Sequence, residues 1–389
     1  MKQRRRASAR TRRAGWATAG LAAALALLAG PLISCSPNVT LRVEGGSPEL
    51  RQTLARLAGD YARERRVKVS LSEPEAGPRR TEVAVAWRLA PERSAGLAPL
   101  ANDRAPLATK GVSSALALRR WARTENGWTE LPLLWDAWGV WGEAPDVAAA
   151  APKGSFSWDD RRALAAKGLS LVAGGGDPGN AQALYWLIAA PESASPSDFA
   201  VDKAAWAAQP ASSSFGLFAS SLADRALFPA SQHFGRGDQE QLARQVGRRV
   251  YLLPFSAQYR WTWGGAKAFA ALVTRQGGQA RLVASVLSAR IEGGGRRDRR
   301  AAAGFILWLL DPARQRQLEE GTGLLPANFD APNLNGTTKA LRDLALAAES
   351  FQPVVEEASD EPARRWSSLV SSIVASPASW ESLLRESLR

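Results

Sequence analysis

An α/β protein of more than one domain is what this sequence predicts, and three observations carry that expectation. Strand-like and helix-like stretches alternate from about residue 40 onward. Hydrophobic residues make up 46% of the chain, which is enough for real cores, and 389 residues leave room for two or three domains of ordinary size.

The chain starts with seven basic residues, Lys2 to Arg13, and no acid, then runs into the apolar stretch Trp16–Leu32. That stretch is short for a membrane span and is broken by Gly30-Pro31 before Leu32-Ile33-Ser34-Cys35. The pattern reads as a lipoprotein signal peptide over residues 1–34. Small residues ahead of a cysteine admit a signal peptidase, and the thiol of Cys35 then accepts a diacylglycerol group, leaving 35–39 as a lipidated tether. Cys35 is the only cysteine, so no internal disulfide is available to an exported chain, and an anchor explains the lone thiol.

Thr40–Gly46 reads as a strand. The helix that follows has Ser47 as its cap and Pro48 in its first turn, and Val67–Leu71 reads as a second strand, which makes a βαβ opening. Gly45 and Gly46 fall at the helix N-terminus, where free N–H groups often face a ligand. Thr81–Leu89 is a third strand carrying Trp87 near its end. Gly127–Glu143 is a longer strand rich in tryptophan. Alternation sends Trp135 to one face and Asp136 and Trp138 to the other, while Trp141 lies beyond Gly139 and is not phased.

Ser157 is a helix cap in SFSWDDRRALAAKG, with Trp158 structural. Leu169–Ala190 then contains a literal GxGxxG at Gly174, Gly176 and Gly179 between a strand and a helix. A dinucleotide site also needs an acid at the end of a following strand, about twenty residues on, and Pro191–Trp206 offers no clear strand. Ala204–Asp238 has no readable pattern. Val246–Gly265 is a strand followed by Tyr259, Arg260, Trp261 and Trp263. Two tryptophans separated by one residue in extended chain share a face, and Arg260 points the other way.

Ala280–Gly294 is the next strand. Ala301–Asn328 then joins two helices: Phe305, Ile306, Trp308, Leu309 and Leu310 give the first a broad apolar face, and Asp311-Pro312 stops it and starts the second. Gly321 is expected at the left-handed position that ends the second helix, with Leu324 and Leu325 turned inward. Lys339–Glu357 and Ala363–Leu388 read as helices.

The run FILWLL, DPARQRQL, TGLLPAN resembles the late signature of the extracellular solute-binding proteins of ABC importers, family 1, sugar-binding type. Gly127–Glu143 resembles the crossover strand of the same family, although the usual Tyr-Asn pair near its end is missing. The resemblance implies a two-lobed periplasmic-binding-protein fold with a ligand cleft between the lobes and three crossings, near Gly139, Ile291 and Gly336. Lobe 1 would hold residues 40–138 and 291–336, and lobe 2 residues 139–290 and 337–389. It also implies a cleft lined from Trp87 and Arg88, Trp135, Asp136, Trp138, Asp177, Asn180, Tyr259, Arg260, Trp261, Trp263 and Trp366. For Trp87, Trp366 and the Trp261/Trp263 pair a place in a core stays open as the alternative.

The function implied is a lipoprotein that captures a small solute and delivers it to membrane permease subunits, exported and anchored to the bilayer through Cys35. Fifteen tryptophans against four tyrosines offer many flat surfaces, and a neutral sugar is the expected ligand. A sensory or assembly lipoprotein that no longer serves a transporter is the alternative.

Other classes are disfavoured by count. The formal charge of +13 falls to +6 without the leader, and no basic stripe interleaved with aromatics marks a nucleic-acid surface. His233 is the only histidine, which excludes a His-based triad and a multi-histidine metal site. The Asp159-Asp160 pair has no second acid tied to it, so neither an enzyme nor a cofactor is expected.

Overall fold

The computed structural model describes residues 37–72, 81–88, 112, 115, 118, 123–124, 127–128, 130–173, 177–189, 202–208, 211–223, 249–257, 267–276, 279–333, 335–355 and 361–389. Cys35, Tyr259, Arg260, Trp261 and Trp263 lie outside the described residues.

Strand β1 (Asn38–Glu44), helix α1 (Pro48–Arg65), β2 (Lys68–Ser72) and β3 (Glu82–Arg88) form the opening, with β1 parallel to both neighbours. Ser47 caps α1 by accepting the Leu50 N–H at 3.3 Å. Leu50, Leu54, Leu57 and Tyr61 recur at helical spacing and are buried in the same core as Val39, Leu41, Val83 and Val85. A two-residue hairpin, β4 (Arg123–Thr124) and β5 (Gly127–Trp128), precedes the long strand β6 (Leu131–Glu143).

Helix α2 (Ala144–Ala150), β7 (Ser155–Phe156), α3 (Arg161–Ala166), β8 (Ser170–Ala173), α4 (Pro178–Ala189), α5 (Lys203–Ala207) and α6 (Ala211–Leu222) follow. Strands β9 (Arg249–Pro254), β10 (Lys267–Gln276) and β11 (Gln279–Glu292) come next, then helices α7 (Arg296–Leu309) and α8 (Pro312–Thr322). The chain ends with β12 (Leu325–Pro326), α9 (Gly336–Ala347), β13 (Ser350–Pro353), α10 (Glu361–Ala375) and α11 (Trp380–Ser387). Residues 38–389 belong to one compact unit.

The sheet bends into two parts because β6 changes partners midway. Residues 131–136 pair antiparallel with β11, and residues 138–143 pair with β9 and β10. Strand β11 likewise pairs with β10 and β13 at its start and with β3 from Val286 to Glu292. One part is therefore β2-β1-β3-β11 and the other β10-β6-β9-β8, and β6 and β11 run through both. Ile291 stands opposite Val83, well inside the first part, and the change of partner on β11 comes near Ser285.

The α7–α8 elbow forms as its residues dictate. Asp311 accepts the Ala313 N–H at 3.0 Å with Pro312 next to it. The α7 end carbonyls are taken by side chains: Gln315 donates to Leu309 O at 2.9 Å and Asn328 donates to Leu310 O at 2.7 Å. Two local expectations fail. The left-handed residue is Gly323 (φ 73°), whereas Gly321 stays in the helix, where an added Cβ would come within 2.5 Å of the Thr53 hydroxyl. Ser350–Pro353, inside a stretch expected to be helical, is a strand because β11 offers it a parallel partner.

Candidate functional site

Strand alternation positions the crossover side chains as their spacing requires. Trp135 points away from Asp136 and Trp138; its indole N–H donates to Pro326 O at 2.9 Å, and its ring lies between Phe329 and Phe351 at 6.3 and 5.6 Å. It is fully enclosed.

On the other side, Asp136 accepts the Ser256 N–H at 3.0 Å, so the turn after β9 is tied to the crossover. Trp138 donates its indole N–H to the Ser285 hydroxyl at 2.9 Å, and Ser285 stands opposite Asp136 in the β6–β11 ladder. The far edge of the Trp138 ring meets the first turn of α4. A Cβ at Gly179 would come within 2.7 Å of it, so only glycine lets that turn close on the indole. Asp177 caps α4, accepting from Gly179 N–H at 2.9 Å and Asn180 N–H at 3.2 Å. The third glycine of the GxGxxG run thus serves packing against tryptophan.

Asn180 is fully buried, and neither its carboxamide oxygen nor its nitrogen has a hydrogen-bond partner among the described residues. The Ser256 hydroxyl, 1% exposed, also has none. Buried polar groups are almost always paired, and leaving one unpaired costs about 1–3 kcal/mol. Both belong to the segments that meet the crossover strand.

The first part of the sheet contributes the ends of β1 and β3. Gly45 and Gly46 have φ of 72° and 86°, and the indole nitrogen of Trp87 lies 3.8 Å from where a Gly46 Cβ would sit. Arg88 reaches Glu44 at 3.7 Å and the fully buried Glu130 at 4.0 Å, so this end carries paired charge. Trp366, on α10, is enclosed by Tyr185, Trp186 and Trp206 with ring centroids 5.0–5.6 Å apart. Burial in that cluster also pushes the Tyr185 phenol well above its ordinary pKa.

The structure therefore gathers Asp136, Trp138, Asp177 and Asn180 around one contact and sets Trp87 at the end of β3, while Trp135 and Trp366 stand in packed interiors. Ser256 and Ser285 join the cluster without having been singled out in the sequence. The available signal for Ser285 was a hydroxyl inside the apolar run Leu282–Ile291. Among the described residues no group of three or more His, Cys, Asp or Glu side chains converges to hold a metal, and no helix is long and apolar enough to cross a membrane.

No family model matches this sequence, and no curated protein matches it significantly. Solved structures do resemble it. The GacH receptor of Streptomyces glaucescens, determined unliganded and with acarbose, is 15% identical and superposes with a TM-score of 0.60, covering 90% of this chain and 97% of that one. The bacterial solute receptor AcbH, described as preferring β-D-galactopyranose, gives 13% identity and a TM-score of 0.66 over the same shares. An ABC-transporter solute-binding protein from Agrobacterium radiobacter K84 in complex with ribitol gives 11% and 0.62, again over 90% and 97%. At these identities the likeness speaks for the fold alone. The chain has the two-lobed periplasmic-binding-protein fold, with a cleft between lobes that share the strands β6 and β11.

Proposed function

We propose that this chain is the substrate-binding lipoprotein of an ABC importer, holding a small solute, a carbohydrate by class, between its lobes and presenting it to membrane permease subunits. The observation that carries this reading is the fold itself, matched over nine-tenths of the chain by receptors whose ligands are acarbose, galactopyranose and ribitol. The crossover supports it locally. The Asn180 carboxamide, next to the glycine that packs on Trp138, and the Ser256 hydroxyl are buried with no hydrogen-bond partner among the described residues, which suits a ligand of many hydroxyls.

The binding set in this reading is Trp87, Asp136, Trp138, Asp177 and Asn180, together with Tyr259, Arg260, Trp261 and Trp263; the last two supply the stacking wall. Lobe 1 comprises residues 40–138 and about 286–336, and lobe 2 residues 139 to about 285 and 337–389, the boundary on β11 taken where its partner changes near Ser285 rather than at Ile291. A solute touching both lobes stabilises the closed arrangement, and a permease distinguishes closed from open. The chain binds without turnover. Export and acylation at Cys35 complete the reading, and mass spectrometry of membrane-extracted protein tests the acylation, since a mature form lacking acyl chains or an intact 1–34 segment would refute it.

The deciding experiment is a thermal-shift screen of residues 35–389 against sugars, polyols, amino acids and short peptides. A ligand at 100 times its Kd adds about 2.7 kcal/mol to stability. A shift by sugars or polyols alone is the expected result. A shift by peptides or amino acids alone overturns the substrate class, and silence across the screen favours the sensory or assembly role. Calorimetry on Trp261→Ala and Trp263→Ala then measures the stacking wall, where loss of stability with unchanged affinity would assign both rings to a core.

A further inference from the structure

The end of lobe 1 remote from the cleft is formed by strand starts and helix termini. Asn38 opens β1 opposite Lys68 of β2, and Glu82 opens β3 opposite Glu292, the last residue of β11. The last turns of α1 return to this end, where the Tyr61 hydroxyl donates to Ala301 O in the first half of α7 at 3.1 Å.

This end is basic. Arg296, Arg297, Arg299 and Arg300 occupy the first five positions of α7, three of them exposed and Arg299 partly so. Lys68, opposite Asn38 in the β1–β2 ladder, and Arg65 and Arg66 just before it stand exposed at the close of α1 and the start of β2. None of these seven makes an ion pair among the described residues. Of the acids near this end, Asp60 pairs with Arg63, Glu64 with Arg314 and the Trp308 indole, and Glu82 and Glu292 with Arg42, while Asp298 accepts the Asn38 N–H at 3.2 Å.

Helix physics does not ask for this charge. A helix N-terminus is the positive end of its dipole and favours acids, yet α7 places four arginines there, behind Gly295, which makes no side-chain cap bond. Arg66 takes the left-handed position after α1 (φ 53°), the only residue other than glycine at positive φ among those described, where glycine is the favoured choice. At the α7 start the charge opposes the dipole, whereas the α1 end is a C-terminus that favours cations and only the left-handed backbone of Arg66 runs against preference there; it is the α7 charge that points to a requirement outside the helix.

The chain path supplies that requirement. Asn38 donates its N–H into the middle of the α7 cluster, and Cys35 lies three residues before it. Three extended residues span at most about 10 Å, close to the Debye length of about 8 Å at physiological salt. An acyl chain on Cys35 would hold these arginines within the field of the lipid headgroups.

We propose that this base of lobe 1 is a docking surface for an anionic lipid bilayer, contacted by the arginines of the α7 start and the α1 end. A diacylglycerol on Cys35 supplies two chains and already anchors the protein, so what the polybasic patch adds is orientation, laying this base of lobe 1 against the headgroups. Each exposed basic residue near an anionic surface contributes roughly a five-fold gain in binding.

The test uses residues 35–389 carrying Cys35→Ser, which keep every described element and bear no lipid. Flotation is measured with vesicles of phosphatidylcholine alone and of phosphatidylcholine with phosphatidylglycerol. Binding to the anionic vesicles only, released by salt, is expected. The variant Arg296→Glu/Arg297→Glu/Arg300→Glu is expected to lose about 100-fold or more, and a control with the same charge change, Arg364→Glu/Arg365→Glu/Arg385→Glu on α10 and α11, to stay within about five-fold. Circular dichroism checks the fold, and Arg296→Gln/Arg297→Gln replaces the reversal if that variant melts early. Equal binding to neutral vesicles, equal loss in the control, or no flotation with either vesicle overturns the proposal. No solute enters the assay, so the outcome is independent of what the cleft binds.

Discussion

Two buried polar knots of this molecule can be set side by side. Behind the α7–α8 elbow, Gln315, Asn328 and Arg342 are saturated: Asn328 holds Leu310 O and the Asp330 N–H, and Arg342 holds the carbonyls of Asn328 and Ala331 and the side chain of Asn333. At the crossover, Trp138, Ser285 and Asp136 are bonded, but Asn180 and the Ser256 hydroxyl are left over. The same kind of side chain, equally buried, is complete in one place and incomplete in the other. A complete knot spends its hydrogen bonds on the fold, and an incomplete one keeps them for something that arrives.

Mutations that exchange these properties test the comparison. The largest effect is expected at Asn328→Ala, which strips the buried hydrogen bond to Leu310 O and the partly buried one from the Asp330 N–H. A loss of about 3 kcal/mol in denaturant unfolding is expected, with solute affinity unchanged in what remains folded. Next comes Glu319, 1% exposed beside this knot. Burial pushes its pKa up to about 7, opposed by the Arg342 charge. A carboxyl raised in this way favours the folded state fully below its ordinary 4.5 and loses that contribution as pH rises through about 7. Glu319→Gln should accordingly raise stability at pH 8 by roughly 2 kcal/mol and flatten the melting temperature between pH 5 and 8, at the order of magnitude such shifts allow. An unchanged pH slope would show that the group does not titrate in that window.

The incomplete knot should respond in the opposite sense. Asn180→Leu is expected to leave stability unchanged or raise it by about 1 kcal/mol while weakening solute binding ten-fold or more by calorimetry, about 1.4 kcal/mol. A clear fall in stability with intact affinity would make Asn180 a structural residue. The smallest effect belongs to Ser256→Ala: stability within about 0.5 kcal/mol, and affinity reduced only a few-fold.

The contrast also governs what the sequence could disclose. The elbow was legible because Asp311, Pro312 and the leucines that follow act through capping and burial, rules that hold within a few residues. Its one error, Gly321 in place of Gly323, arose because Thr53 on α1 crowds Gly321, a contact 268 positions away that spacing cannot reveal. The face of Trp138 was legible from alternation, whereas its partners were not. Ser285 and Gly179 come from a strand and a helix far along the chain, and a serine in an apolar strand looks the same whether it meets an indole or nothing. Strand β13 was unreadable for a similar reason, since four residues ending in proline become a strand only when β11 lies beside them. Trp366 carried no local mark of its enclosure by Tyr185, Trp186 and Trp206.

The passage of β6 and β11 from one lobe to the other has a mechanical consequence. They run side by side as a two-ply strap, paired from Ala289↔Leu131 to Ser285↔Asp136, and the Trp138–Ser285 hydrogen bond rivets the plies at the point of passage. Such a strap flexes easily out of its own plane and resists shear within it. The lobes should consequently swing like a book about a single spine, and a solute that closes them works along one soft degree of freedom, with twist and slide suppressed.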